Sequence, residues 1–140
     1  MSTRSRIGLE LADGSILSVY HHWDGYESWL GRILKTHYNT KEKVEELIDG
    51  GDMSSCWTNM RWTKEGAEEV EEYGAEYYSG RGDDCPPRLD ESVLDYLNPD
   101  KSEEYAYLFR KGEWICYNMN QFDSRKSAEI VEIPSGALHV

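Results

Sequence analysis

The hydrophobic pattern of the chain begins with a strand-like alternation. Apolar and polar residues alternate from Ile7 to Trp23 on either side of an Asp13-Gly14 pair. One face of the first half carries Ile7, Leu9 and Leu11, and one face of the return carries Leu17, Val19, His21 and Trp23. Alternation around an Asp-Gly turn predicts a β-hairpin. Glu104 to Asn118 repeats the pattern about Lys111-Gly112, and Ala128 to Ile133 predicts a further strand.

Helical spacing follows the first hairpin. After Asp24-Gly25, apolar side chains recur at Trp29, Leu30, Ile33, Leu34 and His37, with Ser28 as the candidate cap. A second helix is expected to begin at Asn39-Thr40, to bury Val44, Leu47 and Ile48, and to stop at Gly50-Gly51. Asp90 is the candidate cap of a short third helix that ends at Asn98-Pro99.

These elements predict an α+β fold. We expect an antiparallel sheet of about five strands, made of two hairpins plus a strand, with helices largely on one face. Residues 1–140 are long enough for one domain. The central acidic segment, about residues 63–88, is expected to be mobile, with a short acidic helix from Glu68 to Tyr78 as one interpretation.

Composition excludes several classes of partner. A formal net charge of −12 opposes generic binding to DNA, RNA or an anionic membrane, and leaves a basic protein partner open. The three cysteines form no CxxC or Cys/His ligand spacing, so neither a disulfide framework, a zinc site nor another metal or cofactor is predicted. Free cysteines and the lack of an apolar leader or membrane span predict a cytoplasmic protein.

The densest group of versatile side chains runs from Tyr20 to Tyr26. Neighbouring residues of a strand point to opposite faces, so His21 and His22 are not expected to share a metal. His22 with Asp24 as its orienting carboxylate would form a general base if the chain were an enzyme. The alternative is structural: Asp24-Gly25 forms a turn, Trp23 and Tyr26 pack, and His21 is a core histidine with its hydrogen bonds satisfied.

Basic residues provide a second candidate group. Arg4 and Arg6 precede the first predicted strand, and Arg32 lies in the first predicted helix. Arginine clamps phosphate or carboxylate groups, so these three predict a ligand pocket, built at an oligomer interface. The alternative is that they are solvated or paired with nearby carboxylates. Cys56 has histidines elsewhere in the chain but no local signature of a nucleophile.

Several stretches together resemble one protein family. They are the opening Met1 to Ser5, the motif His22-Trp23-Asp24-Gly25-Tyr26, then Ile33-Leu34, His37 to Thr40, Lys43 to Ile48 and Gly51 to Ser55, and later Glu104 to Phe109 with Gly112 to Trp114. In this combination the chain resembles a family of small bacteriophage proteins that share the HWDGY motif and have no established activity.

The resemblance implies a functional setting. It implies a phage-encoded, non-enzymatic accessory protein of the host bacterial cytoplasm, which counters host defence by binding a host defence protein or by sequestering a nucleotide second messenger. The expected binding residues are Arg4, Arg6, His21, His22, Trp23, Asp24, Tyr26 and Arg32, and homo-oligomers are an added expectation. The alternatives are a small enzyme acting on a nucleotide or nucleic-acid fragment, and a structural or regulatory phage protein.

Overall fold

The structure is a computed structural model that describes residues 3–98, 103–121, 123 and 125–134. In this part of the chain the strands are β1 (Ser5–Glu10), β2 (Ile16–His21), β3 (Met53–Thr63), β4 (Gly66–Tyr77), β5 (Arg88–Asp90), β6 (Tyr105–Arg110), β7 (Glu113–Asn118) and β8 (Glu129–Val131). The helices are α1 (Arg32–His37), α2 (Lys41–Asp49) and α3 (Val93–Tyr96), with a π-helical turn at Glu27–Gly31 and a 3-10 turn at Tyr78–Arg81.

The α+β class is confirmed, but the sheet is mixed and not antiparallel. The described strands form one eight-stranded sheet in the order β4-β3-β2-β1-β6-β7-β8, with β5 pairing the first half of β2. The neighbours β1 and β6 run parallel, as do β2 and β3. The prediction of about five antiparallel strands was wrong because it counted only local hairpins, whereas parallel pairs join strands that are distant in sequence.

Both predicted hairpins are confirmed. In the first, β1 pairs β2 with Ile7 opposite Val19 and Leu9 opposite Leu17. In the second, β6 pairs β7 through a turn at Lys111 and Gly112, whose φ angles are 52° and 78°. Two positive φ angles in succession are the geometry of a type I′ turn, whose twist matches that of the flanking strands. The predicted last strand is present as β8, beside β7.

Helix starts differ in part from the predictions. Thr40 caps α2 as expected, with its hydroxyl accepting a hydrogen bond from the Lys43 amide. Ser28 does not cap, since a π-helical turn begins after Tyr26 and leads into α1. Asp90 lies in β5, and the cap of α3 is Ser92, whose hydroxyl accepts the Asp95 amide.

The acidic middle of the chain is a strand, which corrects the interpretation of Glu68 to Tyr78 as a helix. It forms β4, antiparallel to β3, with three shifts of register along the pair. The hairpin curls back on itself: a side chain at Gly80 would clash with the Trp62 carbonyl, although Tyr77 pairs with Met53 at the other end of β3. We call β3 and β4 with the following 3-10 turn the curled hairpin. The mobility of the central acidic segment, about residues 63–88, stays a prediction.

The sheet has a core on each face. The main core lies under α1 and α2 and contains Ile7, Leu9, Val19, Leu30, Ile33, Leu34, Val44, Leu47, Ile48, Met53, Cys56, Tyr107, Phe109, Cys116 and Ile133. The second core lies under α3 and contains Ile16, Tyr96, Ala106, Leu108 and Met119. The longer helices therefore share one face, while α3 covers the other.

We predict that Tyr96 fastens α3 to the sheet by its hydroxyl. The buried Tyr96 hydroxyl donates a 2.7 Å hydrogen bond to the Tyr107 carbonyl. Tyr96→Phe removes this bond inside a core and should lower the free energy of unfolding by about 1 kcal/mol. Urea denaturation measures the loss. The exposed Tyr73→Phe is the control, with a change below about 0.5 kcal/mol, and equal stability of both variants would contradict the assignment.

Candidate functional site

The segment from Tyr20 to Tyr26 leaves the sheet where three strands meet. β2 ends at His21, which stands opposite Ser5 of β1 on one side and Met53 of β3 on the other. After His21 the main chain is held by hydrogen bonds to β3: the Trp23 amide donates to the Ser54 carbonyl over 3.0 Å. The ends of β1, β2 and β3 thus position this turn.

His21 is a core residue with both ring nitrogens engaged. It is completely buried. The Cys56 amide donates to its Nε2 over 3.1 Å, so the proton of the neutral ring is on Nδ1 and is donated to the Ser5 hydroxyl at 3.2 Å. Burial lowers the pKa of His21 to about 3, with a smaller contribution from His22. The ring is therefore neutral near pH 7 and serves the fold.

His22 points the other way, as the alternation predicted. Its Nδ1 lies 2.7 Å from the Tyr20 hydroxyl, and its ring meets the Trp23 ring edge-on with centroids 4.6 Å apart. Asp24 is exposed and has a φ of 59°, in the left-handed region that turns use. Within the described residues no hydrogen bond joins His22 to Asp24, so the base and its orienting carboxylate are not assembled in this structure.

Trp23 is the most prominent exposed ring of this segment. Its side chain is 46% exposed, whereas the backbone on both sides is fixed. The Gly25 amide donates to the Thr3 carbonyl over 2.8 Å, and the buried Tyr107 hydroxyl donates to the Gly25 carbonyl over 2.7 Å. A side chain at Gly25 would collide with Ser5 and with the Thr3 carbonyl, which explains the glycine. The turn is held rigidly while Trp23 faces solvent.

A polar cleft of about 350 Å³ adjoins the motif at Tyr26. Its walls are mostly amide and carboxylate side chains: Thr3, Tyr26, Glu104, Tyr105, Asn118, Asn120, Gln121 and Asp123. Burial and then the neighbouring Glu27 carboxylate raise the pKa of Tyr105 to about 12, so its phenol stays protonated. Carboxylates repel phosphate, and this cleft therefore suits a neutral or cationic group better than a nucleotide.

The three candidate arginines do not gather at one place. Arg6 is buried, donates from Nε to the Ser18 hydroxyl at 2.9 Å, and lies 3.6 Å from Glu103. Burial lowers its pKa. It stands opposite Tyr20 and Ala106, on the face of the second core, whereas Arg32 lies on α1 over the main core. Arg4 is half-buried where β1 begins, and none of the three lines the cleft at Tyr26.

The cysteines are free and offer no activated thiol. Cys56 and Cys116 are buried. Burial raises the pKa of each thiol to about 12, which keeps both protonated at neutral pH. Cys56 therefore contributes by packing in the core and by its backbone amide, which donates a hydrogen bond to His21. This geometry gives no support to the interpretation of Cys56 as a nucleophile.

Sequence reasoning missed the curled hairpin as a candidate site. Its aromatic residues contact α1: the ring of Trp57 in β3 stacks on the ring of His37 in α1 with centroids 3.6 Å apart, and Tyr73 of β4 lies 6.1 Å from Trp57. It also encloses a second cleft, between Trp62 and Tyr77. The alternation of Met60 and Trp62 before Lys64-Glu65-Gly66 was the signal of a strand and turn that would have found it.

We predict that His21 fixes the pH range of stability. A folded pKa near 3 against an unfolded value near 6.5 means that the unfolded chain binds the extra proton, so this stabilisation is complete above pH 6.5 and is lost as pH falls toward 3. The free energy of unfolding should fall by up to ~1.4 kcal/mol per pH unit from this residue. His21→Gln should lack this slope.

Urea denaturation of wild type and His21→Gln at several pH values between 4 and 7 isolates the contribution, because the carboxylates titrate in both proteins. The difference in stability between the two should shrink on acidification. His22→Gln is the comparison variant and should keep most of the wild-type slope, because burial is the larger cause of the lowered pKa of His21. A difference that does not change with pH would show that His21 is not buried as a neutral ring.

Among residues 3–98, 103–121, 123 and 125–134, no group of three or more His, Cys, Asp or Glu side chains is arranged to hold a metal ion. The same part of the chain contains no helix that is long and apolar enough to cross a membrane. No family model, no curated protein and no solved structure matches the chain.

Proposed function

We propose that the chain is a phage-encoded, non-enzymatic accessory protein that counters host defence by binding a host defence protein, with Trp23 to Tyr26 as its contact face. The phage setting comes from the resemblance carried by the HWDGY motif. The observation that supports binding at this place is Trp23: a large ring, 46% exposed, on a turn that hydrogen bonds hold from both sides.

The geometry of Trp23 is that of an interface anchor. Tryptophan is enriched among the residues that dominate binding energy, because it buries a large area and loses little conformational entropy. A rigid turn reduces the entropy cost further. The His22 ring against one edge of Trp23 limits its motion before any partner arrives. Exposed Asp24 adds an acceptor for a donor on the partner.

A protein partner is better supported than a nucleotide second messenger. Sequestration of a nucleotide requires cations around its phosphates. The cleft at Tyr26 instead carries Glu104 and Asp123, and Arg6 is occupied by Ser18 and Glu103. The formal net charge of −12 repels phosphates at longer range as well. Nucleotide binding would instead require a basic pocket formed between protomers of a homo-oligomer.

A contact-based function is also better supported than catalysis. An enzyme that used His22 and Asp24 would need the two groups within hydrogen-bond reach of each other or of one substrate atom. His22 is joined to Tyr20, and Asp24 belongs to the exposed turn. The free cysteines fit action in the reducing cytoplasm of the host.

The test is complementation of a phage that lacks this gene. The deleted phage is plated on otherwise identical host strains, each of which expresses one defence system, with the protein supplied from a plasmid. We expect wild type to restore plating on at least one strain, and Trp23→Ala to restore it at least tenfold less well, as the loss of one anchor residue of about 1.4 kcal/mol or more implies. Strains without a defence system give the reference.

Matched variants separate binding from chemistry. Leu94→Ala removes another highly exposed apolar side chain, on α3, and should behave as wild type. The double variant His22→Gln, Asp24→Asn keeps similar shapes and an acceptor oxygen at residue 24 without a base or a carboxylate, and should lose less activity than Trp23→Ala. Loss of activity in the double variant with retention in Trp23→Ala would favour the enzyme. No rescue by wild type on any defended strain would remove the anti-defence role.

A further inference from the structure

The curled hairpin encloses a cleft of about 520 Å³ that is remote in sequence from the HWDGY motif. The cleft lies between the tip half of β3 and the end of β4 with the 3-10 turn, and its walls are Arg61, Trp62, Thr63, Glu72, Tyr73, Gly74, Ala75, Glu76, Tyr77, Ser79 and Gly80. Its size is that of a small-ligand or side-chain pocket. Three aromatic residues and two glutamates are among its walls.

Glu76 gives the cleft an unused acceptor. The residue is only 4% exposed, and its Oε1 is paired with the Arg81 guanidinium. Oε2 has no hydrogen-bond partner among the described residues. A buried carboxylate oxygen without a donor is costly, so natural proteins rarely leave one unless a bound group satisfies it. The Nε of the neighbouring Arg81 is also without a partner among the described residues, so Oε2 is available both to that group and to a donor from outside the chain.

The surroundings of Glu76 already hold one guanidinium, which shows the chemistry that the site accepts. The central carbon of Arg81 lies 5.2 Å from the centroid of the Trp62 ring and 5.3 Å from that of Tyr78. Both distances are within the range of cation–π attraction. Carboxylate and ring together stabilise a cation, and the second carboxylate oxygen leaves room for another.

The other basic residue of the cleft does not compete for Glu76. Arg61 donates to the backbone carbonyls of Thr58, Met60 and Glu72, at 2.7, 3.0 and 3.1 Å. The bond to Glu72 lies where β4 bulges away from its pairing with β3, between Glu69 and Gly74. Arg61 is thus part of the wall, and three of its N–H donors are used within the hairpin.

The strand that forms one wall carries a strong negative charge. Glu68, Glu69, Glu71 and Glu72 are all exposed on β4. Trp62 and Tyr73 add rings that are 45% and 43% exposed. Exposed rings within an acidic surface complement a basic segment, because charge steers the encounter and the rings supply buried area.

We propose that the cleft of the curled hairpin binds an arginine or lysine side chain from a basic segment of a partner protein, with Glu76 Oε2 accepting its N–H and Trp62 and Tyr73 flanking it. This site is separate from the Trp23 face. It rests on the proposed function only in that both assume a protein partner, and it specifies the chemistry of that partner.

The probe is an acetylated and amidated peptide in which arginine alternates with glycine, titrated into the full chain at physiological ionic strength. Calorimetry gives the dissociation constant, and the indole N–H signals in two-dimensional NMR report which tryptophan is contacted. We expect the Trp62 signal to shift and the Trp23 signal to stay. Glu76→Gln should weaken binding about tenfold, the value of one charge-assisted hydrogen bond.

Two further variants keep the test decisive. Glu72→Gln removes a carboxylate of the cleft without touching the pair of Glu76 with Arg81, so it should weaken binding several-fold even if Glu76→Gln folds poorly. Glu113→Gln removes one exposed carboxylate from β7 and should change the dissociation constant less than about twofold.

Equal weakening by Glu113→Gln would overturn the proposal, since it would show attraction to net charge alone. Absence of peptide binding, or a shift at Trp23 and not at Trp62, would also overturn it. These outcomes are distinct from failure of the proposed function, because peptide binding is measured on the purified chain and plating is measured in infected cells.

Discussion

The structure depends on a neutral histidine that joins three strands. His21 donates to Ser5 of β1 and accepts from the Cys56 amide of β3, while its own strand, β2, lies between them. This matters because β3 is attached to β2 by a single registered pair, His21 with Met53. Along the same edge of β2, residues 16–18 pair with β5. Between this pairing and the pair of His21 with Met53, the Tyr20 amide donates a hydrogen bond to the Asp52 carboxylate.

Both candidate sites are attached to this junction. The turn that presents Trp23 leaves β2 directly after His21 and donates to Ser54 at the start of β3. The curled hairpin begins at the same point and carries the cleft that Glu76 lines. A charged ring at position 21 would be buried without a counterion, and the free-energy cost of that burial would destabilise the junction. His21, one of the expected binding residues, therefore serves the fold, which leaves its neighbours His22 and Trp23 as candidate functional side chains of this segment.

Local signals explain which parts of the fold were predictable. Alternation and turn pairs are set within a few residues, so the two hairpins and the cap at Thr40 followed from the sequence. The parallel neighbours β1 and β6 are not local, and no turn signal announces them. Strand β4 was missed because its glutamates hide any alternation. Its conformation depends on pairing with β3 and on Arg61, which bonds to the Glu72 carbonyl.

The candidate site was predictable to the same extent. Opposite orientations of His21 and His22 followed from strand geometry, and the alternative of a satisfied core histidine was open from the start. Cys56, whose amide donates to His21, lies 35 residues further along the chain, and no sequence pattern marks it as the partner of His21. The buried position of Arg6 was equally invisible, because Ser18 and Glu103 reach it only through the pairing of β1 with its neighbours.

The most direct measurement is the nitrogen-15 NMR spectrum of the His21 ring from pH 7 down to pH 4. A bridging neutral ring predicts signals of the tautomer with the proton on Nδ1, unchanged over this range, and the His22 signals are identified by their absence from the spectrum of His22→Gln. Protonation of His21 near pH 6, or a proton on Nε2, would contradict the junction that supports both candidate sites.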